Sequence, residues 1–80
     1  MDNQNQKKTK QDQVFGFRVN FEESAQFGVH FLQNNLDQTE VKPFFHEAQR
    51  VGFANFEDQS GVDWKITHNK ADNTYTISRR

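Results

Sequence analysis

Nine phenylalanines stand in a chain of 80 residues that is otherwise strongly polar. Hydrophobic residues make up 32% of the sequence, and its mean hydropathy is -1.05. A chain this short buries only about 60% of its unfolded surface, so it can build one core and not two. Because each aromatic ring removes a large apolar area from water at a single position, we expect one small domain with a mainly aromatic core.

The sequence contains no cysteine, which excludes disulfides and thiolate metal sites and favours a reducing compartment. Residues 1–13 hold no apolar run that could form the core of a signal peptide. No stretch approaches the roughly 18 apolar residues that a membrane-spanning helix needs. We therefore expect a soluble, cytoplasmic protein that makes no contact with a membrane.

Both ends of the chain give clear local predictions. After Met1, residues 1–13 carry no aliphatic or aromatic side chain, and we expect a disordered polar tail in front of a single domain at residues 14–80. Residues 14–21 alternate in the manner of one strand. Residues 62–66 and 74–78 alternate on either side of a turn segment, which predicts a C-terminal hairpin. Four residues are expected in the core beside this hairpin: Val51, Phe53, Trp64 and Ile66.

The middle of the chain fits two structures. Phe27 and Phe31 stand four residues apart, as do Gly28 and Leu32, which favours a helix over residues 24–36. The alternation of Phe27, Val29 and Phe31 favours a strand in the same place. Residues 43–51 are typical of a helix, with Pro43 near its start and Gly52 at its C-cap.

Two short motifs suggest a function. Phe-Gly-Phe at residues 15–17 is followed, after an acidic turn at residues 22–24, by Val-His-Phe at residues 29–31. In order and separation this resembles the nucleic-acid-binding centre of the cold-shock domains, and residues 47–57 are similar to the fourth strand of that family. The resemblance covers residues 14–66. It implies a mainly β fold, a small OB-like barrel, to which this chain adds its C-terminal hairpin.

The chain also departs from the cold-shock pattern. Residues 4–13 are polar where the family has its first strand, and Gly28 stands where the family usually has a stacking phenylalanine. Arg18 takes a position that is usually aliphatic. One strand of the barrel is therefore missing from the pattern, and the C-terminal strand is a candidate to replace it.

The resemblance implies binding of single-stranded RNA or DNA. Proteins hold single-stranded nucleic acids on aromatic faces on which the bases stack, at about 1 to 3 kcal/mol per base. Cationic side chains beside these faces follow the phosphates. In this hypothesis Phe15 and Phe17 share an outward platform, small Gly16 closes the interior behind them, and Phe27 and Val29 point inward. The candidate nucleic-acid-binding residues are Phe15, Phe17, His30, Phe31, Lys10 and Arg79.

The second hypothesis is an α+β domain with the order β-α-α-β-β, whose partner is another protein. Residues 22–36 and 40–51 would be its helices. Residues 11–64 carry nine acidic side chains against three basic ones, a surface that fits a protein partner better than a phosphate backbone. No catalytic motif or metal-ligand spacing is present, so we expect neither an enzyme nor a cofactor or metal. The patterns leave the oligomeric state and the choice between RNA and DNA open.

Overall fold

The structure, a computed structural model, describes residues 9–80. Within these residues five strands form a single sheet, and the two α-helices follow one another between the second and third strands. The strands are β1 (Thr9–Val14), β2 (Phe17–Glu22), β3 (Phe53–Glu57), β4 (Asp63–Asn69) and β5 (Thr74–Arg79). The helices are α1 (Gln26–Asn34), which a 3-10 turn at Glu23–Ala25 precedes, and α2 (Gln38–Val51).

The strand order across the sheet is β1-β2-β5-β4-β3. The pair β2–β5 is parallel and the other three pairs are antiparallel. Both helices pack on one face, where alternate strand residues are buried, and the other face is polar. The sheet is open, with β1 and β3 as its two edges. The expectation of a β-rich domain is confirmed, but the strands do not close into the expected OB-like barrel.

The core is not mainly aromatic as predicted: of the fifteen buried hydrophobic residues in the described chain, five are aromatic and ten are aliphatic. The rings of Phe17 and Phe45 stack with their centroids 4.4 Å apart, and both meet the ring of Tyr75 edge-on. Tyr75 is almost fully buried, and its hydroxyl makes no hydrogen bond of good geometry. Burial raises the pKa of Tyr75 above its ordinary value, an effect that the nearby side chain of Gln49 only partly offsets. This cluster joins two strands, β2 and β5, to the helix α2.

The first strand differs from its prediction. Residues 14–21 are interrupted by a two-residue turn at Phe15 and Gly16, whose φ angles are 50° and 89°. Two positive φ angles in succession are the geometry of a type I′ hairpin turn. Residues 9–13 pair with β2 as part of β1, so the predicted tail ends at residue 8 at the latest. The rest of that predicted tail, residues 1–8, lies outside the described residues.

The C-terminal hairpin is confirmed, because β4 and β5 pair around the turn at residues 70–73 with Ile66 opposite Ile77. A helix over residues 43–51 is confirmed too, and α2 begins at Gln38, five residues before that segment and two before the helix that the second hypothesis places at residues 40–51. The side chain of Asp37 accepts a hydrogen bond from the backbone N–H of Glu40, and the carboxylate of Glu40 accepts one in return from the N–H of Asp37. This capping box starts the helix and leaves Pro43 inside it.

Candidate interaction site

The outer face of α1 carries the most exposed aromatic ring in the described part of the chain. Phe27 is 76% exposed. His30 is exposed and Phe31 is half-buried on the same side, at the spacing of one helical face. Together with Asn35, Asp58, Gln59 and Ser60, they line a shallow hollow of about 180 Å³. We call this set of residues the α1 patch.

The inner face of α1 explains why Phe27 points outward. Gly28, Val29 and Leu32 are buried against the sheet. A Cβ atom on Gly28 would lie 2.7 Å from Cδ2 of Trp64, closer than any real contact, so the helix backbone rests directly on the indole. Because glycine alone permits this approach, the helix cannot rotate to bury Phe27 without losing the contact.

The loop beneath the patch is held rigidly by one carboxylate. Asp58 accepts hydrogen bonds from Nε1 of Trp64 at 2.9 Å and from the backbone N–H groups of Ser60 at 2.9 Å and Val62 at 3.0 Å. The indole bond, followed by the bond from Val62, holds the pKa of Asp58 below its ordinary value of 3.8. Asn35 also donates to Oε1 of Gln59 at 3.3 Å, which fixes the end of α1 to the same loop.

The two phenylalanines of the patch have different roles. The ring of Phe31 lies parallel to that of Phe56 on β3, with centroids 6.2 Å apart, and Phe56 also contacts Phe44 of α2. Phe31 is therefore the upper layer of a stack that continues into the core. Phe27 makes no ring contact of this kind within the described residues, and most of its surface faces solvent.

The six predicted nucleic-acid-binding residues do not form one site. Phe15 lies in the β1–β2 turn, whereas Phe17 faces inward and stacks on Phe45, so these two rings form no shared platform. Lys10 is exposed on β1 and Arg79 ends β5, over the ring of Trp64 at 5.6 Å. Since β2 and β5 are parallel, Arg79 lies at the end of the sheet opposite the turn. His30 and Phe31 are together, on a helix and not on a strand.

Three core predictions fail in an informative way. Phe27, expected to point inward, is the most exposed phenylalanine, and Val51 and Phe53 are 46% and 47% exposed. Trp64 and Ile66 are buried as predicted. The spacing of Gly28 and Leu32 could have predicted the exposure of Phe27, because a helix that buries these two residues directs Phe27 to solvent.

The polar face of the sheet satisfies much of its own hydrogen bonding. Asn69 donates to the hydroxyls of Thr74 and Thr76, and Asn20 donates to that of Thr74. A hollow of about 470 Å³ lies where β2 and β5 meet the 3-10 turn, beside Glu22 and Arg79. Acidic and basic groups are mixed there, so the hollow has no marked preference for an anion.

Residues 9–80 contain neither a cluster of metal ligands nor a helix that could span a membrane. Nowhere in that range do three or more His, Cys, Asp or Glu side chains lie close enough together to hold a metal ion. Neither described helix is long and apolar enough to cross a membrane.

Comparisons with known proteins provide no family for this chain. It matches no family model, no curated protein and no solved structure.

Proposed function

We propose that this chain is a protein-binding domain whose contact surface is the α1 patch. The observation that carries the proposal is the ring of Phe27, 76% exposed on a helix whose position is fixed by the packing of Gly28 on Trp64. Because the backbone that carries the ring is already in place before binding, burial of Phe27 restricts only its two side-chain torsions. Exposed aromatic residues of this kind dominate the affinity of many protein interfaces.

The chemistry of the patch indicates which kind of partner surface would complement it. The apolar centre, Phe27 and Phe31, calls for an apolar cleft that can enclose a ring. The rim contains the carboxylate of Asp58 and the polar side chains of Asn35 and Gln59, and no lysine or arginine lines the hollow. A partner with lysine or arginine at the rim of its cleft would complement it. We expect such a partner in the cytoplasm, the compartment that the cysteine-free sequence favours.

Binding of single-stranded RNA or DNA in the manner of the cold-shock domains is the competing proposal. The feature that favours it is again Phe27, because a base can stack on an exposed ring with His30 beside it. Stacking surfaces of this kind normally act with cations that follow the phosphates. The hollow contains Asp58 in place of such cations, and for that reason we prefer a protein partner.

The chain offers a matched pair of variants for the test. Phe27→Gln removes the ring of the patch, and Phe15→Gln removes another exposed phenylalanine, from the β1–β2 turn. Proteins captured from cells by the wild type would be identified by mass spectrometry, and each candidate would be purified. Calorimetry on the purified pair should show that Phe27→Gln weakens binding about 30-fold, as the loss of a hot spot does. Phe15→Gln should change the affinity less than about threefold.

Either of two results would contradict the proposal. The first is a purified partner that binds wild type and Phe27→Gln equally well. The second is binding of fluorescein-labelled oligo(dT) or oligo(U) in low salt that Phe27→Gln abolishes and Phe15→Gln does not, since this would assign the ring to base stacking.

A further inference from the structure

The outer edge of β3 presents unpaired backbone groups in a defined order. The backbone N–H of His68 donates to the carbonyl of Gly52 at 3.0 Å, and that of Asp58 donates to Val62 at 3.0 Å. Hydrogen-bonded and non-hydrogen-bonded pairs alternate along an antiparallel ladder. The even-numbered residues of β3 therefore bond to β4. It follows that the N–H and C=O groups of Phe53, Asn55 and Glu57 point away from the sheet.

In the described part of the chain the backbone groups of this edge are left uncovered. Within residues 9–80 no strand lies beside it and no side chain is hydrogen-bonded to its three outward residues. The strand reads Phe-Ala-Asn-Phe-Glu, without the lysine, proline or bulge that commonly blocks an edge. Phe53 is also 47% exposed, and Val51, at the end of α2, is 46% exposed.

We propose that two copies of this chain associate through their β3 edges, antiparallel and with a two-fold axis at Asn55. In this register Asn55 faces its own copy, Phe53 faces Glu57 and Ala54 faces Phe56. Each contact occurs twice, as in any interface with two-fold symmetry. The pairing joins the two sheets into one and goes beyond the proposed function, because it uses a different surface.

The register agrees with the direction of the backbone groups. Two residues that face each other across the axis have residue numbers that are either both odd or both even. All three outward-pointing residues, Phe53, Asn55 and Glu57, therefore meet outward-pointing partners, which is what a ladder of hydrogen-bonded pairs requires. A shift by one residue would place outward groups against inward ones and lose these bonds.

The side chains are complementary in the same register. On the helix-covered face the methyl group of Ala54 lies opposite the ring of Phe56, so a small side chain meets a large one. On the polar face the carboxylate of Glu57 comes beside Phe53, whose ring carries the ammonium group of Lys65 at 5.9 Å from its centroid. A negative group thus approaches a positive one, and no like charges stand directly opposite each other.

Charge variants at one pair test both the pairing and its register. Phe53→Glu would place two carboxylates against each other on each side of the axis. Phe53→Glu combined with Glu57→Lys would replace that repulsion with attraction. The matched control is Gln11→Glu, which adds the same charge on the opposite edge strand, β1.

Light scattering coupled to size exclusion would be run over a dilution series, and circular dichroism would confirm that each variant is folded. The wild-type mass should rise from 9.5 kDa towards twice that value with concentration. Phe53→Glu should weaken self-association roughly tenfold or more, the double variant should restore it, and Gln11→Glu should leave it unchanged.

Three results would overturn the proposal: a wild type that stays monomeric at its highest attainable concentration, a Phe53→Glu variant that associates as the wild type does, or a double variant that fails to recover. Phe27→Gln should not alter the mass. This separates the failure of the pairing from the failure of the protein-binding function, which a monomer can perform equally well.

Discussion

The two edges of the sheet, β1 and β3, differ in polarity and in how their outward backbone groups are bonded. On β1 five of the six residues are exposed and polar, and the outward backbone groups of Gln13 are both occupied by side chains. Its N–H donates to Oδ1 of Asp12 at 2.7 Å, and its carbonyl accepts from Nε2 of Gln33 at 2.8 Å. On β3 the outward groups have no such partners within the described residues. At Gln13, therefore, local side-chain bonds as well as polar composition cover the β1 edge.

The two edges also differ in how they are anchored to the core. The β1 side ends in Val14, which is fully buried, and is tied to α1 by Gln33. The β3 side depends on Trp64, which supports Gly28, bonds to Asp58 and pairs with Phe56 across the sheet. One residue therefore connects β3, its loop and the α1 patch, so the β3 side is the one that a single substitution should damage most.

The largest effect is expected for Trp64→Ala. Removal of a fully buried indole leaves a cavity, for which about 3 to 5 kcal/mol of unfolding free energy is the usual loss. It also leaves one oxygen of Asp58 without its donor. Urea denaturation followed by circular dichroism measures the change. A loss below about 1 kcal/mol would show that the β3 side has an anchor other than Trp64.

The sequence predicts some of this asymmetry. The alternation of residues 74–78 and the burial of Trp64 follow from local patterns, because each depends on residues close together in the chain. The open sheet does not, since the pairing of β2 with β5 joins residues more than fifty positions apart. The turn at Phe15 could not be predicted from the sequence, because phenylalanine rarely adopts a positive φ angle. His30 and Phe31 are predicted as nucleic-acid-binding residues on a strand and lie instead on α1. Phe27 is predicted to point inward in that strand and is exposed because the segment is a helix.

A moderate effect is expected when the β1 edge is made to resemble the β3 edge. Gln33→Ala removes the donor to the carbonyl of Gln13, a hydrogen bond for which the net loss is about 0.5 to 1.5 kcal/mol. The control Gln11→Ala truncates an exposed glutamine whose side chain makes no such bond within residues 9–80. Chemical denaturation gives the stabilities, and light scattering tests whether the opened edge increases self-association. Equal stability of the two variants would show that the bond from Gln33 contributes nothing.

The smallest expected effect concerns the protonation of Asp58 on the β3 side. Its pKa is lowered first by the hydrogen bond from Trp64 and next by that from Val62, so folding favours the ionised carboxylate. This contribution to stability is present above the ordinary pKa of 3.8 and is lost as the pH falls through the lower pKa of the folded state. The Nε1–H resonance of Trp64 reports the titration directly, and its midpoint should lie below 3.8.

Asp37 provides the matched comparison at the start of α2. Its pKa is also lowered, first by the hydroxyl of Thr39 and next by the N–H of Glu40. The amide resonance of Glu40 should follow that group, and Asp58→Asn should remove the titration from the Trp64 signal while leaving the Glu40 signal intact. If the Trp64 midpoint were at or above 3.8, the carboxylate would not be the group that holds the indole, and the β3 loop would have to be held by its backbone bonds.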